Sequence, residues 1–500
     1  MERQVKHQLP YIQNLPNKQV RRRGVLTSFL SSKLLLKFIG QLSPLLLLSY
    51  SFNLQALSAK TTDTIQGSAP YFTFDGGRTR VTTTEDLLSI WLSDGTQITP
   101  SNNPSTPISP IKLPNAGDTL ANVNMMIPAS TNFILLSDLV TRYHYWGDDD
   151  GDGLGTNGVI ATGSLSVSIT DKNDQIIDRS DALDICKAPY KMVLNNMAGS
   201  LSTQYGVPSH SIFDYGTATY YINPNLPATV CYARPNLQHG TGSFKGPDSI
   251  WDSDKGFIPQ SINPLLYGSN FPTTGADGLY FDLDIRGVDP SQLTWKPVTH
   301  EGITATVARI TANDSWIPNR PEVVTRVTLT GPEARAQKDN VNPSRISKPN
   351  LPKEFELVGR DSDGNAVVKY GFVLQKWFIN RGDKSDTASN QVAWCRSLGY
   401  RLAQVKDLTN AVCSGLNSGE YCQDAIGATP AGSDNFYQRQ IGAGFFTEWD
   451  QIYDYAGIDF ALRYWTSDTA GNLGFYVWLM GGAVDRDNPS YHYSGLCTTP

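Results

Sequence analysis

Asp148, Asp150 and Asp152 recur at alternate positions of the run Asp148-Asp149-Asp150-Gly151-Asp152-Gly153, directly after Tyr145-Trp146-Gly147. Carboxylates spaced in this way on a tight loop converge on one hard cation, and the glycine permits the bend. The pattern implies a structural calcium held by Asp148, Asp150 and Asp152, with the Leu154 carbonyl as a further ligand, whose task is to stiffen a loop. The twelfth position, where such loops place a bidentate glutamate, is Val159, so only weak, extracellular-type affinity is expected. The competing reading is a solvated acidic turn.

A second candidate is Arg381-Gly382-Asp383, flanked by Asn380 and Lys384 in a polar stretch. Such a loop can present a carboxylate to the metal of an integrin, or it is an ordinary polar turn. Aromatic residues crowd the C-terminus: Trp449, Tyr453, Tyr455, Trp465, Tyr476, Trp478, Tyr491 and Tyr493. Exposed Trp and Tyr stack on sugar faces or anchor protein contacts. Trp465 and Trp478 lie in strand-like runs and are expected in the core. Trp449, Tyr453 and Tyr491, neighbours of Asp450, Asp485, Arg486 and Asp487, are the surface candidates. Catalysis finds little support. His7, His144, His210, His239, His300 and His492 are scattered without zinc-ligand spacing, and no nucleophile elbow or phosphate-binding loop is present. Asp450 with Asp454, or Asp485 with Asp487, resemble glycosidase acids in type, but pairs this close in sequence are commoner on solvated loops.

These residues must be positioned by several domains, because 500 residues exceed the roughly 250 to 300 that one core sustains. With 43 Gly, 30 Pro, 10% aromatic and 18% charged residues, turn-rich β structure is expected over helical bundles. A net charge of −6 has the wrong sign for holding phosphate backbones, so nucleic acid is not an expected partner. Residues 1–59 read as an export signal: Lys18 and Arg21-Arg22-Arg23, an apolar run through Leu45-Leu46-Leu47-Leu48, then small residues that favour cleavage near Ser58 or Ala59. Lys33, Lys37 and Pro44 interrupt the run, which disfavours a retained span. The only membrane association expected is through this signal. In an exported chain the six cysteines imply three disulfides. Sequence order suggests Cys186 with Cys231, and two bridges among Cys395, Cys413, Cys422 and Cys497.

Between 69 and 184 the chain alternates short β-prone runs with polar turns. Ser164-Leu165-Ser166-Val167-Ser168-Ile169 has period two, so one face is buried, as in a sandwich. Residues 199–263, rich in Tyr, Pro, Gly and Asn, read as loops pinned by a disulfide. Alternating runs near Leu279–Ile285, Gly302–Ala308 and Val323–Thr330 suit an Ig-like sandwich. The polar segment 333–352, with Pro343, Pro349 and Pro352, reads as a linker. Asp363-Gly364 marks a hairpin. Val392, Cys395, Leu398 and Leu402 have helical spacing, and a second short helix follows near Val405.

Trp394-Cys395-Arg396-Ser397-Leu398, Arg401-Leu402, Tyr464-Trp465-Thr466-Ser467 and the closing Gly495-Leu496-Cys497 together resemble the C-type-lectin-like domain at the tips of bacterial invasin- and intimin-type adhesins. The preceding residues are similar in character to the Ig-like stalk and adhesion domain of such proteins. The resemblance implies Cys395 bridged to Cys497 and Cys413 to Cys422. It implies a mainly β chain: a signal at 1–59, a β-rich adhesion domain at 60–263, an Ig-like domain at 264–332, a linker at 333–352 and a lectin-like domain at 353–500. It implies an adhesin, exposed at the outer-membrane surface or secreted, that binds a host or neighbouring-cell receptor, protein or glycan. The chain lacks the Glu-Pro-Asn, Gln-Pro-Asp and Trp-Asn-Asp triplets of calcium-dependent sugar binders. A carbohydrate-active or polysaccharide-binding envelope protein is the alternative.

Overall fold

The computed structural model describes residues 66–151, 158–455, 458–459 and 461–499; the expected export signal, Asp152 and Leu154 lie outside them. Among the described residues, no helix is long and apolar enough to cross a membrane. The fold is mainly β.

In residues 66–226 the strands Val159–Thr170 and Tyr190–Thr203 form a long antiparallel pair, within a six-stranded sheet that also holds Ile111–Lys112, Phe133–Leu135, His210–Phe213 and Gly216–Asn223. Period-two patterning explains the pair: Leu165, Val167 and Ile169 are buried on one strand, and Met192 and Leu194 on its partner. A bulge between Thr162 and Ser164 requires glycine twice. Gly163 has φ 102°, and a Cβ on Gly199 would sit 2.0 Å from the Thr162 carbonyl oxygen. The layer over this sheet is not a second long sheet. It consists of the short helices Thr84–Leu87 and Leu136–Thr141 and two two-stranded ribbons, because the turn-rich sequence between 93 and 132 breaks every run before it lengthens. Residues 199–263 are also more regular than their composition suggests. They contain the Gly216–Asn223 and Thr229–Arg234 strands, in which Ala218, Tyr220 and Ile222 alternate inward.

The second unit is an Ig-like sandwich. One sheet runs in the order Trp251–Asp252, Gly256–Phe257, Thr229–Arg234, Tyr280–Arg286, Glu322–Thr330, Ile303–Ala312, Val298–His300; the other comprises Thr294–Trp295, Lys353–Arg360 and Ala366–Leu374. Phe281, Ile303 and Leu329 meet Phe355 and Phe372 between them, with the last two rings stacked at 5.4 Å. This moves the expected boundaries: the sandwich begins near 229, and strands assigned by sequence to the C-terminal domain close it. The hairpin itself forms around Asp363-Gly364, with Leu357 opposite Tyr370.

The C-terminal unit orders its strands Thr274–Ala276, Lys376–Asn380, Ser494–Thr498, Arg463–Ala470, Leu473–Trp478, Val484–Asp487. The helix Ala388–Leu398 is capped by Thr387 and stopped by Gly399 at φ 92°. All three expected disulfides are present: Cys186–Cys231, Cys395–Cys497 and Cys413–Cys422. Segment 333–352 is a strap and not a free linker. Trp394 Nε1 donates to the Gln337 carbonyl at 3.3 Å, Tyr400 Oη to the Ser347 carbonyl at 2.7 Å, and the Ile346 amide to the Leu398 carbonyl at 3.3 Å. Thr274–Ala276, supplied from within the sandwich, pairs in parallel with Lys376–Asn380, so the two units share one core.

Candidate functional site

On three neighbouring strands of the C-terminal sheet, alternate residues share one face. Arg463 lies opposite Trp478, Trp465 opposite Tyr476, and Tyr476 opposite Asp485. The Arg463 guanidinium lies 4.0 Å from the Trp478 ring centroid and 5.4 Å from that of Tyr493, a cation–π arrangement. Tyr493 packs between Trp465 and Tyr476, with both ring centroids 4.7 Å away. Two carboxylates finish the ladder: Tyr476 Oη donates to Asp485 at 2.8 Å and Tyr493 Oη to Asp487 at 2.8 Å. Burial, and then the Asp485 hydrogen bond, raise the Tyr476 phenol above its ordinary value; burial and Asp487 do the same for Tyr493. Both hydroxyls therefore stay protonated and hold their carboxylates in place.

Beside the ladder opens a groove of about 490 Å³ lined by Tyr421, Phe436, Trp478, Met480 and Asp485 among others. Its far wall is the loop closed by Cys413–Cys422, tied to the sheet by Asn435, whose Nδ2 reaches the Asn417 carbonyl at 3.1 Å and the Val484 carbonyl at 2.9 Å. Tyr421 and Tyr491 are each 56% exposed and Met480 46%. Large apolar groups held open to solvent on a rigid frame suit protein contact or sugar stacking.

Several sequence-stated candidates are placed differently. Trp449 and Asp450, expected at the surface, are fully buried: Trp449 packs on Phe271 and Asp450 pairs with Arg439 at 2.8 Å. That pairing removes Asp450 from consideration as a solvent-facing acid, while Asp454 is half-buried and accepts from Asn236 Nδ2 at 3.1 Å. Trp478, expected in the core, is half-buried under Arg463. Tyr453 is 40% exposed, while Asp485, Arg486 and Asp487 are half-buried on the edge strand. Arg381-Gly382-Asp383 does not present its arginine. Arg381 is 2% exposed, donates to Gln391 Oε1 and the Lys338 carbonyl at 3.0 Å each, and stacks on Trp394; Gly382 is buried and only Asp383 reaches solvent, paired to Lys338 at 2.9 Å. The sequence reading passed over Arg463, Tyr421 and Met480. Period-two spacing of Arg463 with Trp465, and of Tyr476 with Trp478, was the signal that puts them on one face.

In the Asp-rich loop, Asp149 is taken by Tyr71 Oη and Arg80, and Asp150 Oδ2 accepts from the Ser68 amide at 2.8 Å. Among the described residues no group of three or more His, Cys, Asp and Glu is placed to hold a metal, and two of the four expected ligands lie outside them.

No family model and no curated protein matches this chain. Among solved structures it is similar to invasin, titled a bacterial integrin-binding protein, at 13% identity and TM-score 0.33, over 69% of this chain and 52% of that one. It is similar to a C-terminal 282-residue fragment of intimin in complex with the translocated intimin receptor's intimin-binding domain, at 10% identity and TM-score 0.29, over 68% and 93%. It is also similar to an EHEC O157:H7 intimin mutant at 10% identity and TM-score 0.23, over 50% and 92%. The chain spans about half the length of the invasin structure. The likeness to invasin and intimin is one of fold.

Proposed function

We propose that this chain is an exported bacterial adhesin whose C-terminal unit binds a protein receptor on a host or neighbouring cell through Arg463, Trp478 and Tyr493, backed by the buried Tyr476, and the adjoining groove. One observation carries the reading: aromatic and arginine side chains, the residue types that dominate interface energetics, are held at a surface by tyrosine–carboxylate bonds and a disulfide-closed loop. Little side-chain freedom remains to be lost on association, which favours affinity. Binding, not turnover, is the function, at the outer-membrane surface or after secretion. A calcium ion at Asp148, Asp150, Asp152 and the Leu154 carbonyl would stiffen that loop; chelation would then lower the melting temperature and leave binding intact.

The test is attachment of the labelled mature chain to cultured cells. Trp478→Ala and Arg463→Ala are expected to weaken attachment at least tenfold with an unchanged far-ultraviolet spectrum. Undiminished attachment by both variants overturns the assignment to this face. Retention on a glycan array, lost in the same variants, would transfer the site to the polysaccharide-binding reading, since the same rings stack on sugars.

A further inference from the structure

Tyr280–Arg286 and Glu322–Thr330 pair only from Tyr280 opposite Thr328 to Leu283 opposite Thr325. Beyond that point both strands continue on their outer sides alone: Thr229–Arg234 retains Asp284, Ile285 and Arg286, while Ile303–Ala312 retains Glu322, Val323 and Val324. The sheet forks. A bulge between Val230 and Tyr232, which increases local twist, sits beside the fork at Cys231, which is tethered to Cys186 of the first unit. The fork encloses about 500 Å³, within the ordinary range for ligand sites.

Five cations line this space: Lys172, Arg234, Lys255, Arg286 and Arg309. Opposing them are Asp282, Asp284 and Glu322, but Asp282 is already held by Arg326 through bonds of 2.7 and 3.0 Å. Arg234 pairs with Glu322 at 3.1 Å and Arg286 with Asp284 at 2.7 Å. Lys172 reaches Asp284 only at 3.9 Å with 13% of its side chain exposed, and burial brings its ammonium down to about 8. Lys255 pairs with Asp252 at 3.7 Å; Arg309 has no ion pair within 4 Å among the described residues, its charge acting only at longer range on Asp289. The space thus has an excess of positive charge and two strand edges facing each other, each with backbone groups directed away from its remaining neighbour. An extended chain bearing carboxylates satisfies both at once, by strand addition along the edges and by charge.

We propose that this fork is a second binding site, distinct from the aromatic ladder, that takes an extended acidic peptide segment from a partner protein, its carboxylates meeting Lys172, Arg286 and Arg309. Because Lys172 belongs to the first unit and the fork to the second, an occupant would bridge them.

The experiment uses the full mature chain and a fluorescein-labelled tetraglutamate peptide, read by anisotropy, with amide hydrogen exchange on the bound and free protein. Saturable binding is expected, weakened at least tenfold by Arg309→Glu and again by Arg286→Glu, both partly exposed positions whose melting temperatures serve as the folding control. Amides within 284–286 and 322–324 are expected to gain protection. Failure to saturate at millimolar peptide, equal affinity in Arg309→Glu, or binding without added protection at those edges would each overturn the proposal. Displacement of the peptide by N-acetylneuraminic acid at comparable concentration would do the same, by making the fork a sugar site.

Discussion

Arg439 and Asp450 meet at 2.8 Å with both side chains completely enclosed, and both are also gripped by the segment 236–239. Arg439 Nε donates to the His239 carbonyl at 2.7 Å, Arg439 Nη2 to the Asn236 carbonyl, and the His239 amide donates to Asp450 at 2.7 Å. The ion pair is therefore a joint between the Ig-like sandwich and the C-terminal unit. Burial alone would raise the Asp450 carboxyl, but the Arg439 charge and the His239 bond outweigh it and hold the group below its ordinary value. Removing one partner strands the other charge away from water. Arg439→Met is expected to cost about 3 to 5 kcal/mol, read as a lowered urea midpoint of unfolding.

Asp407 gives a pH dependence with a definite sign. Its covered carboxylate accepts from Arg401 at 2.5 Å, Lys376 at 2.6 Å and the Gln404 amide at 2.8 Å. Burial pushes its pKa up, yet the Arg401 bond and the Lys376 charge more than reverse this, so it lies below the ordinary value. A lowered folded pKa contributes stability that is present above the unfolded value of about 3.9 and lost as pH falls through the folded value. Denaturant midpoints should drop below about pH 4 in the wild type, and Asp407→Asn should start lower at pH 7 but fall less steeply.

The disulfides should differ in worth because they close loops of different length, 102 residues for Cys395–Cys497 and 9 for Cys413–Cys422. Loop-closure entropy predicts losses of about 4 to 5 and about 2 to 3 kcal/mol respectively for the paired alanine variants. Equal losses would show that strain or packing, not chain entropy, governs the pair. Denaturant titration of C395A/C497A against C413A/C422A decides it.

Arg381 and Asp383 should behave oppositely. Arg381→Ala leaves Gln391 Oε1 and the Lys338 carbonyl without a donor and should cost about 2 to 3 kcal/mol. Asp383→Ala should leave both the melting temperature and cell attachment unchanged. Loss of attachment in Asp383→Ala with an intact fold would restore the tripeptide as a receptor site.

Strands were legible where period two was strict, as at Leu165, Val167 and Ile169, and the helix near Cys395 where apolar spacing was helical. Ala218, Tyr220 and Ile222 follow the same alternation but were masked by surrounding Tyr, Asn and Pro, which read as loop. Trp449 was misplaced because Asp450, the adjacent acid that suggested solvent, is satisfied internally by Arg439. Segment 333–352 has no apolar period because backbone carbonyls make its contacts with Trp394, Tyr400 and Arg381, and no hydropathy pattern encodes a carbonyl. The domain boundary near 353 failed for a topological reason: Phe355 and Phe372 look like strand core in either unit, and only strand pairing decides which.

The Cys186–Cys231 bridge has a mechanical consequence. A chain stretched between its ends carries tension across the sulfurs and by-passes the 45-residue span, which holds the Tyr190–Thr203 and Gly216–Asn223 strands; Cys395–Cys497 shields a further 102 residues. At about 3.4 Å per extended residue, roughly 150 and 350 Å of contour length are withheld from extension. Reduction would release that slack, so the oxidised molecule lengthens under tension far less than its residue count implies.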